Sequence, residues 1–139
     1  MDIKTLNFNI KTKGFSDIID ITNEINKCIG ESFLQEGSAL IFAPGATNGI
    51  TTIEYEPGLL QDYPEFWEKL VPSSQTYKHD ETWNDRNGFS HIRASLQGNS
   101  LTIPFIDGKM ILGTWQQIVF IDFDNRGRNR KVIVQVTGK

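Results

Sequence analysis

The chain is poor in the features that mark exported, membrane-spanning or nucleic-acid-binding proteins. It has one cysteine, Cys28, so no disulfide can form within it and a disulfide-stapled exported fold is excluded. Cys28 falls on an apolar helical stripe, where core packing is its expected role rather than nucleophilic chemistry. No apolar run approaches the ~20 residues of a membrane-spanning helix, so no membrane partner is expected. Residues 1–13 lack the basic-then-apolar pattern of a signal peptide, and the cytoplasm is the expected location. Charge of one sign is also scarce, with a formal net charge of −3. Nucleic-acid affinity comes mostly from neutralising phosphates. No dense Lys/Arg face is present, so no nucleic-acid partner is expected. The one basic cluster, Arg126 to Lys131, reads as a solvated hairpin tip. Repeats and low-complexity tracts are absent, and 139 residues fit one domain, residues 1–139, with a core that needs no staples.

Periodicity supplies the elements. Leu6, Phe8 and Ile10 alternate with polar residues and predict a half-buried strand. Ser16 offers an N-cap to a helix running to about Ile29, with Ile18, Ile21, Ile25, Cys28 and Ile29 on one stripe and Gly30 as its stop. Residues 38–43 and 50–55 read as strands. Leu59 to Leu70 reads as an amphipathic helix that Pro64 divides. Residues 73–89 are polar and aperiodic, an expected functional loop, and residues 91–96 form a short helix or turn. Asp107-Gly108 between two apolar runs is a hairpin signal, and strands follow over 117–124 and 131–136. Sequential hairpins at this density imply an antiparallel sheet with helices gathered on one face or end.

The chemistry-bearing residues concentrate in Lys78-His79-Asp80-Glu81-Thr82-Trp83-Asn84-Asp85 and in His91, which together hold both histidines of the chain. Imidazole and carboxylate ligate divalent zinc, manganese or iron, and they are the usual acids and bases near neutral pH. The spacing from His79 to His91 matches no compact zinc signature, so an exposed pair of loop histidines is an equal alternative. Asp80 adjoins His79 and is placed to orient its tautomer or to join a metal. Residues 44–49, with Thr47 in the turn and Thr51 beyond it, form a small-residue loop. Its amides and hydroxyls could cradle an anion, although a tight turn explains it too. It lacks a Walker lysine, which excludes a nucleotide P-loop. Glu54 is an acid inside an apolar strand and needs a partner or an open cleft. Arg93 suits two parallel hydrogen bonds to phosphate, with Ser95 beside it, and is equally read as a surface arginine, while Gln116 is read equally as a ligand contact or as a partner for backbone groups.

In order along the chain, FAPGATNGITTIEYEPG, KHDETWNDRNGFSHIRASLQGNSLTIPF, DGKMILGTWQQIVFIDFDNR and VIVQVTG resemble the YjbQ family, also called secondary thiamine-phosphate synthase-like. The resemblance is strongest from Ala39 to Gly138. It implies an α+β fold with a mixed, largely antiparallel, sandwich-like sheet core and two or three helices, assembled as a homotrimer with clefts near subunit contacts. It also implies a histidine-rich cleft that binds a divalent metal, with zinc, magnesium, manganese and iron as candidates. His79 and His91 fall on two of the family's histidine positions, Glu54 on its acid, and Asp80 on the residue after the first histidine. The chain departs from the family pattern at Lys78, Asn84 and Phe89, where a subgroup often carries histidine, which thins the expected metal site.

Two functions follow as expectations. One is a thiamine-phosphate synthase-like transferase acting on phosphorylated small metabolites. Here His79, His91, Glu54 and Asp80 do metal or acid–base work, while Arg93, Thr47, Thr51, Ser95 and Gln116 hold substrate. The other is a non-catalytic protein that binds a small anion or a metal.

Overall fold

The computed structural model describes all residues from Met1 to Lys139. Its elements in chain order are β1 (Asp2–Lys11), β2 (Asp17–Asp20), α1 (Thr22–Ser32), β3 (Glu36–Phe42), β4 (Asn48–Glu54), α2 (Pro57–Leu70), α3 (Lys78–Trp83), α4 (Gly88–Gln97), β5 (Ser100–Ile106), β6 (Lys109–Met110), β7 (Gln116–Asp122) and β8 (Asn129–Gly138). The strands form a five-stranded sheet in the order β1-β8-β3-β5-β6 and a three-stranded sheet in the order β2-β7-β4. Every strand pairing is antiparallel, so the fold is α+β with antiparallel sheets as implied, but no parallel pair makes them mixed, and four helices form where two or three were expected. No helix is long and apolar enough to cross a membrane.

The layers follow from which faces are apolar. The long strands β1 and β8 pair over ten positions, Asp2 opposite Gly138 through Lys11 opposite Asn129. Val132, Val134 and Val136 of β8 and Ala39, Ile41 and Ala43 in and after β3 point inward and are fully buried. They meet Ile118 and Phe120 of β7 and Ile21, Ile25, Cys28 and Ile29 in and before α1, making one core between the two sheets. The other face of β7 carries Val119 and Ile121, followed by Phe123. These pack on Trp67 and Val71 of the α2 region and on Phe89 and Ala94 of α4, making a second core. Strand β7 is thus apolar on both faces because it lies in the middle of three layers, which is why its sequence reads as a near-continuous apolar run.

Four local expectations are corrected. Ser16 does not cap a helix. Gly14, Phe15 and Ser16 all have positive φ, and this left-handed turn delivers Asp17–Asp20 as a strand against β7. Ile18 then joins the helix-side core and Ile21 the inter-sheet core, so the apparent helical stripe was two packing surfaces in succession. Gly30 does not stop α1, which ends two residues later with Phe33 in the left-handed conformation donating its N–H to Gly30. Pro64 does not divide α2. The helix runs unbroken from Pro57, its first turn capped by Glu56, whose carboxylate accepts from Gly58 N and Leu59 N. The segment 73–89, expected as an aperiodic loop, contains α3 and the start of α4. The hairpin at Asp107-Gly108 forms as expected, with φ of 54° and 68° at its two turn residues.

Phe105 is fully buried in the inter-sheet core. Phe105→Ala is expected to cost about 3–5 kcal/mol, read as a lowered urea midpoint with an unchanged slope. Trp115→Ala, at a side chain 72% exposed, should stay within about 0.5 kcal/mol of the parent. Equal losses at both positions would contradict this placement of the core.

Candidate functional site

The two histidines meet because one carboxylate closes the loop between their helices. Asn84 and Arg86 both adopt φ of 56° and reverse the chain between α3 and α4. Asp80 spans the reversal, accepting from Tyr77 N on one side and from Gly88 N on the other, each at 3.0 Å. These two bonds hold the Asp80 carboxyl below the usual range. Gly88 is required for the approach, because a Cβ there would stand 2.7 Å from the Cβ of Tyr77. The result places the rings of His79 and His91 with centroids 4.2 Å apart and planes 36° from parallel. His79 Nδ1 is buried and has no hydrogen-bond partner. It lies 3.5 Å from Asp85 Oδ1 and 4.0 Å from Asp80 Oδ1. One ligand atom from each of His79, Asp80 and Asp85 can lie within 4.8 Å of the others.

His91 also borders a cleft of about 290 Å³ lined by Gly45, Ala46, Asn48, Ser95 and Asn99 among others. Burial, reinforced by the neighbouring His79, pushes the His91 imidazole below its ordinary value, and this outweighs the upward pull of Asp124 and Asp85. The small-residue loop and the second histidine therefore do share one cleft. Ser95 sits on its rim, although its hydroxyl donates to the carbonyl of His91 at 2.8 Å.

Other expected site residues stand elsewhere in the chain's own fold. Arg93 is two positions from His91 on the same helix, so it points to the opposite side. It is 2% exposed. Its Nε and Nη2 donate to the Val71 carbonyl, Nη1 to Ser16 Oγ, and Nη2 also to Glu68 Oε1 at 2.7 Å. That guanidinium is a fastening between α4 and α2, not a free phosphate ligand. Glu54 is exposed at the far end of β4, six residues or roughly 20 Å along the strand from Asn48. Thr51 shares a face with Ile53 and lies outside the cleft lining. Gln116 is engaged locally, donating to Thr52 Oγ1 at 3.1 Å and accepting from Gly113 N at 3.0 Å.

Thr47 leads to polar residues that the sequence reading did not single out. Asp122 is fully buried and accepts from Arg130 Nε and Nη2, each at 2.8 Å, and from Thr12 Oγ1 at 2.6 Å. Arg130 Nη2 also donates to Thr47 Oγ1, which in turn donates to Asp124. Asp124 accepts from Arg128 Nε and from Asn87 as well. Burial alone would raise the Asp124 carboxyl, but the hydrogen bonds from Asn125 N, Asn87 and Arg128 hold it below the usual range. Arg128 and Arg130 are thus members of a buried network rather than a solvated tip. The signal was present in FIDFD, where two acids interrupt a buried strand and so require partners.

With this geometry in hand, comparison with known proteins is informative. The chain matches the family model described as "UPF0047 protein YjbQ-like" over residues 6–139. It is 43% identical over 130 residues to a UPF0047 protein of Archaeoglobus fulgidus, covering 94% of this chain and 98% of that one. It is 33% identical to the UPF0047 protein YugU of Bacillus subtilis, covering 98% and 99%. Among solved structures, a YjbQ/UPF0047 protein from Clostridium acetobutylicum superposes with a TM-score of 0.86 at 39% identity, covering 95% and 99%. A YbjQ-like protein of unknown function from Sulfolobus solfataricus gives 0.89 at 26% identity, covering 99% and 100%.

Two expectations test this description. Asp122→Ala leaves Arg130 buried and half-partnered, and a loss of about 3–5 kcal/mol is expected in urea unfolding. His91 has a folded value below its unfolded one, so the stability it contributes is fully present above about pH 6.5. That stability is lost as pH falls through the depressed folded value. In EDTA-treated protein, NMR titration of the His91 ring should give a midpoint below 6.5, and His91→Gln should flatten the acid limb of the stability profile. A midpoint at or above 6.5 would remove the buried-imidazole description.

Proposed function

We propose that this chain, which belongs to the YjbQ (UPF0047) family, is a thiamine-phosphate synthase-like transferase that acts on phosphorylated small molecules at the His79–His91 site. The observation that carries the reading is the approach of the two imidazoles to 4.2 Å between ring centroids, with His79 belonging to a three-residue ligand cluster and His91 to the lining of the small-residue cleft. The donors fit a divalent metal. His79 Nδ1 is buried without a partner, and Asp85 and Asp80 supply carboxylate oxygens beside it. A mixed imidazole and carboxylate set suits zinc, manganese or iron better than magnesium. When bound, the metal would supply positive charge for a departing pyrophosphate.

The chain's own residues have separate tasks in the reaction that the family resemblance implies, which joins a hydroxymethylpyrimidine pyrophosphate to a thiazole phosphate and releases pyrophosphate. The backbone of Gly45 and Ala46 and the side chains of Asn48 and Ser95 would bind and orient the phosphorylated end. The pyrimidine CH2–O bond to pyrophosphate breaks and a CH2–N bond to the thiazole nitrogen forms, with no net proton to remove, so His91 at the cleft wall would orient the phosphorylated end by hydrogen bonding rather than act as a base. Asp80 holds the loop and so positions His79. Within one chain, Glu54, Thr51 and Gln116 take no part.

A second reading is a non-catalytic binder of a metal or small anion. It is favoured by the state of Asp80, whose two carboxylate oxygens are each engaged by a backbone amide, which leaves few uncommitted donors. The homotrimer belongs to the same proposal, as does a cytoplasmic location. The outward face of the five-stranded sheet carries Ile3, Leu40, Phe42 and Ile106 at 38–64% exposure, and two further copies of the chain would cover it.

Elemental analysis of purified protein should find a divalent metal in the parent and none in the His79→Ala/His91→Ala double variant, with the melting transition retained. Metal content unchanged in the double variant would refute the metal site, and metal or anion binding without turnover would favour the second reading. Light scattering should report three times the 15.8 kDa chain mass, reduced to one in Phe42→Glu. A monomeric parent would refute the trimer.

A further inference from the structure

Positive charge is unevenly spread over this chain. Six of its 14 Lys and Arg residues, Lys11, Lys13, Arg126, Arg128, Arg130 and Lys131, gather where β1 ends and β8 begins, although the net charge of the whole is −3. Arg130 is committed to Asp122. Arg128 is committed only in part. Its Nε donates to Asp124 Oδ2 at 2.7 Å, while Nη1 and Nη2 make no hydrogen bond within the chain and the side chain is 33% exposed. Lys11, Lys13, Arg126 and Lys131 enter no ion pair. A depression of about 330 Å³ lies among these residues, lined by Lys11, Thr12, Gly127, Arg128 and Asn129, with no acidic side chain in the lining. Backbone contacts fix its walls. Lys11 stands opposite Asn129 in the β1–β8 ladder, and Lys131, opposite Asn9, shares their face of the sheet. Thr12 N donates to Arg128 O at 2.9 Å, and Arg128 N to Thr12 Oγ1 at 3.0 Å. Gly127 comes so near that a Cβ there would stand 2.5 Å from the Thr12 carbonyl oxygen. The Gly127 N–H has no acceptor within the chain.

We propose that this depression is a second ligand site, which binds one dianionic phosphate group through the Nη1–Nη2 end of Arg128, the ammonium of Lys11 and the amide of Gly127. Asp124 holds the guanidinium by Nε and leaves the two outer nitrogens side by side, the arrangement that grips two oxygens of one phosphate. Asp124 is itself buried and bonded to Thr47 and Asn87, so the guanidinium is held before a ligand arrives and less freedom is lost on binding. Lys11 supplies the second positive charge that a dianion needs. Lys13 and Arg126, next in the chain to Thr12 and Gly127, and Lys131 add to the local potential that draws an anion in. A small phosphate monoester suits the surface better than a nucleic acid. The basic residues are confined to one end of the β1–β8 pair, and no row of them leads away along either strand to follow a phosphate backbone. The site is separate from the His79–His91 site and does not depend on how that site is read. The two are linked through Asp124, which Arg128 meets on one side and Asn87, just before α4, on the other.

The test is a ¹H–¹⁵N NMR titration of the full chain at about pH 8, above the second ionisation of a phosphate monoester. Inorganic phosphate, acetate and a short single-stranded oligonucleotide form separate arms. Saturating shifts of the Gly127 and Asn129 amides and of the Arg128 Nε–H are expected with phosphate, at concentrations about tenfold below any acetate response. Lys11→Gln should weaken phosphate binding about tenfold, the loss of one charge-assisted hydrogen bond. Lys4→Gln removes the same charge elsewhere on β1 and should change it less than about twofold. Both lysines are exposed, so both variants are expected to melt with the parent. Should Lys11→Gln fail to fold, the position and saturation of the shifts in the parent decide. Shifts that never saturate, that centre on residues outside the depression, that weaken equally in the two lysine variants, or that saturate only with the oligonucleotide would overturn the site. The His79→Ala/His91→Ala variant should bind phosphate here as the parent does, even where it has lost its metal, and loss of the Gly127 and Arg128 shifts in that variant would also overturn the site. Failure of the His79–His91 reading therefore leaves these shifts in place, and failure of this site leaves the metal content of the parent unchanged.

Discussion

The ion pair between Arg130 and Asp122 is the constraint around which the rest of the structure is arranged. Both residues point into the space between the two sheets, where the apolar core ends. Removing two charges from water is costly unless the geometry is good and the remaining lone pairs and protons are used. Here Asp122 takes two bonds from the guanidinium and one from Thr12, and Thr47 takes another from Arg130. Each of those partners lies at the end of a different strand or turn. The pair therefore fixes where β1, β4, β7 and β8 stop relative to one another, and so where the cleft can open.

The candidate site is an extension of that network. Asp124 is linked to Asp122 through Arg130 and Thr47 and accepts from Asn87 at the start of α4. That contact sets the helix on its sheet. From there, helical geometry divides the labour, with His91 facing the cleft and Arg93 facing the interior, where it joins α2 through Glu68 and Val71. Asp80 completes the arrangement by closing the turn between α3 and α4. The histidines are brought together by residues that are themselves engaged in structure, which is how a site of half-buried polar groups can be held in a fixed shape.

The three-layer build explains why chemistry collects at one end. Strand β7 is buried on both faces from Ile118 onward, so polar groups are confined to its two ends, Gln116 and Gln117 at the start and Asp122, with Asp124 just beyond, at the finish. The opposite end of β4 and β7, with Glu54, Thr52 and Gln116, forms a separate local set of hydrogen bonds. Acids and amides of similar appearance in the sequence thus have different roles, decided by which end of the sheet they occupy.

Much was legible from the residues alone. Alternation in Leu6-Phe8-Ile10 and Val132-Val134-Val136 and the Asp107-Gly108 turn depend on neighbours in the chain and appear as read, and the amphipathic run Leu59 to Leu70 forms its helix without the division expected at Pro64. The sequence also pointed to His79, Asp80 and His91 as candidates, though not to Asp85, which the fold brings within 3.5 Å of His79, and the family resemblance named the fold. Local pattern could not say that Ile18 and Ile21 serve different cores, because both spacings fit one helix. Nor could it say that Arg93 fastens α4 to α2 while Arg130 joins Asp122 to Thr47. An arginine's role depends on which carboxylates and carbonyls surround it, and those come from positions up to 83 residues away. Local periodicity determined the long strands and helices, but not β2 or α3. Desolvation, which forces each buried charge to find its partner across the fold, decided which polar residues were left to face the cleft.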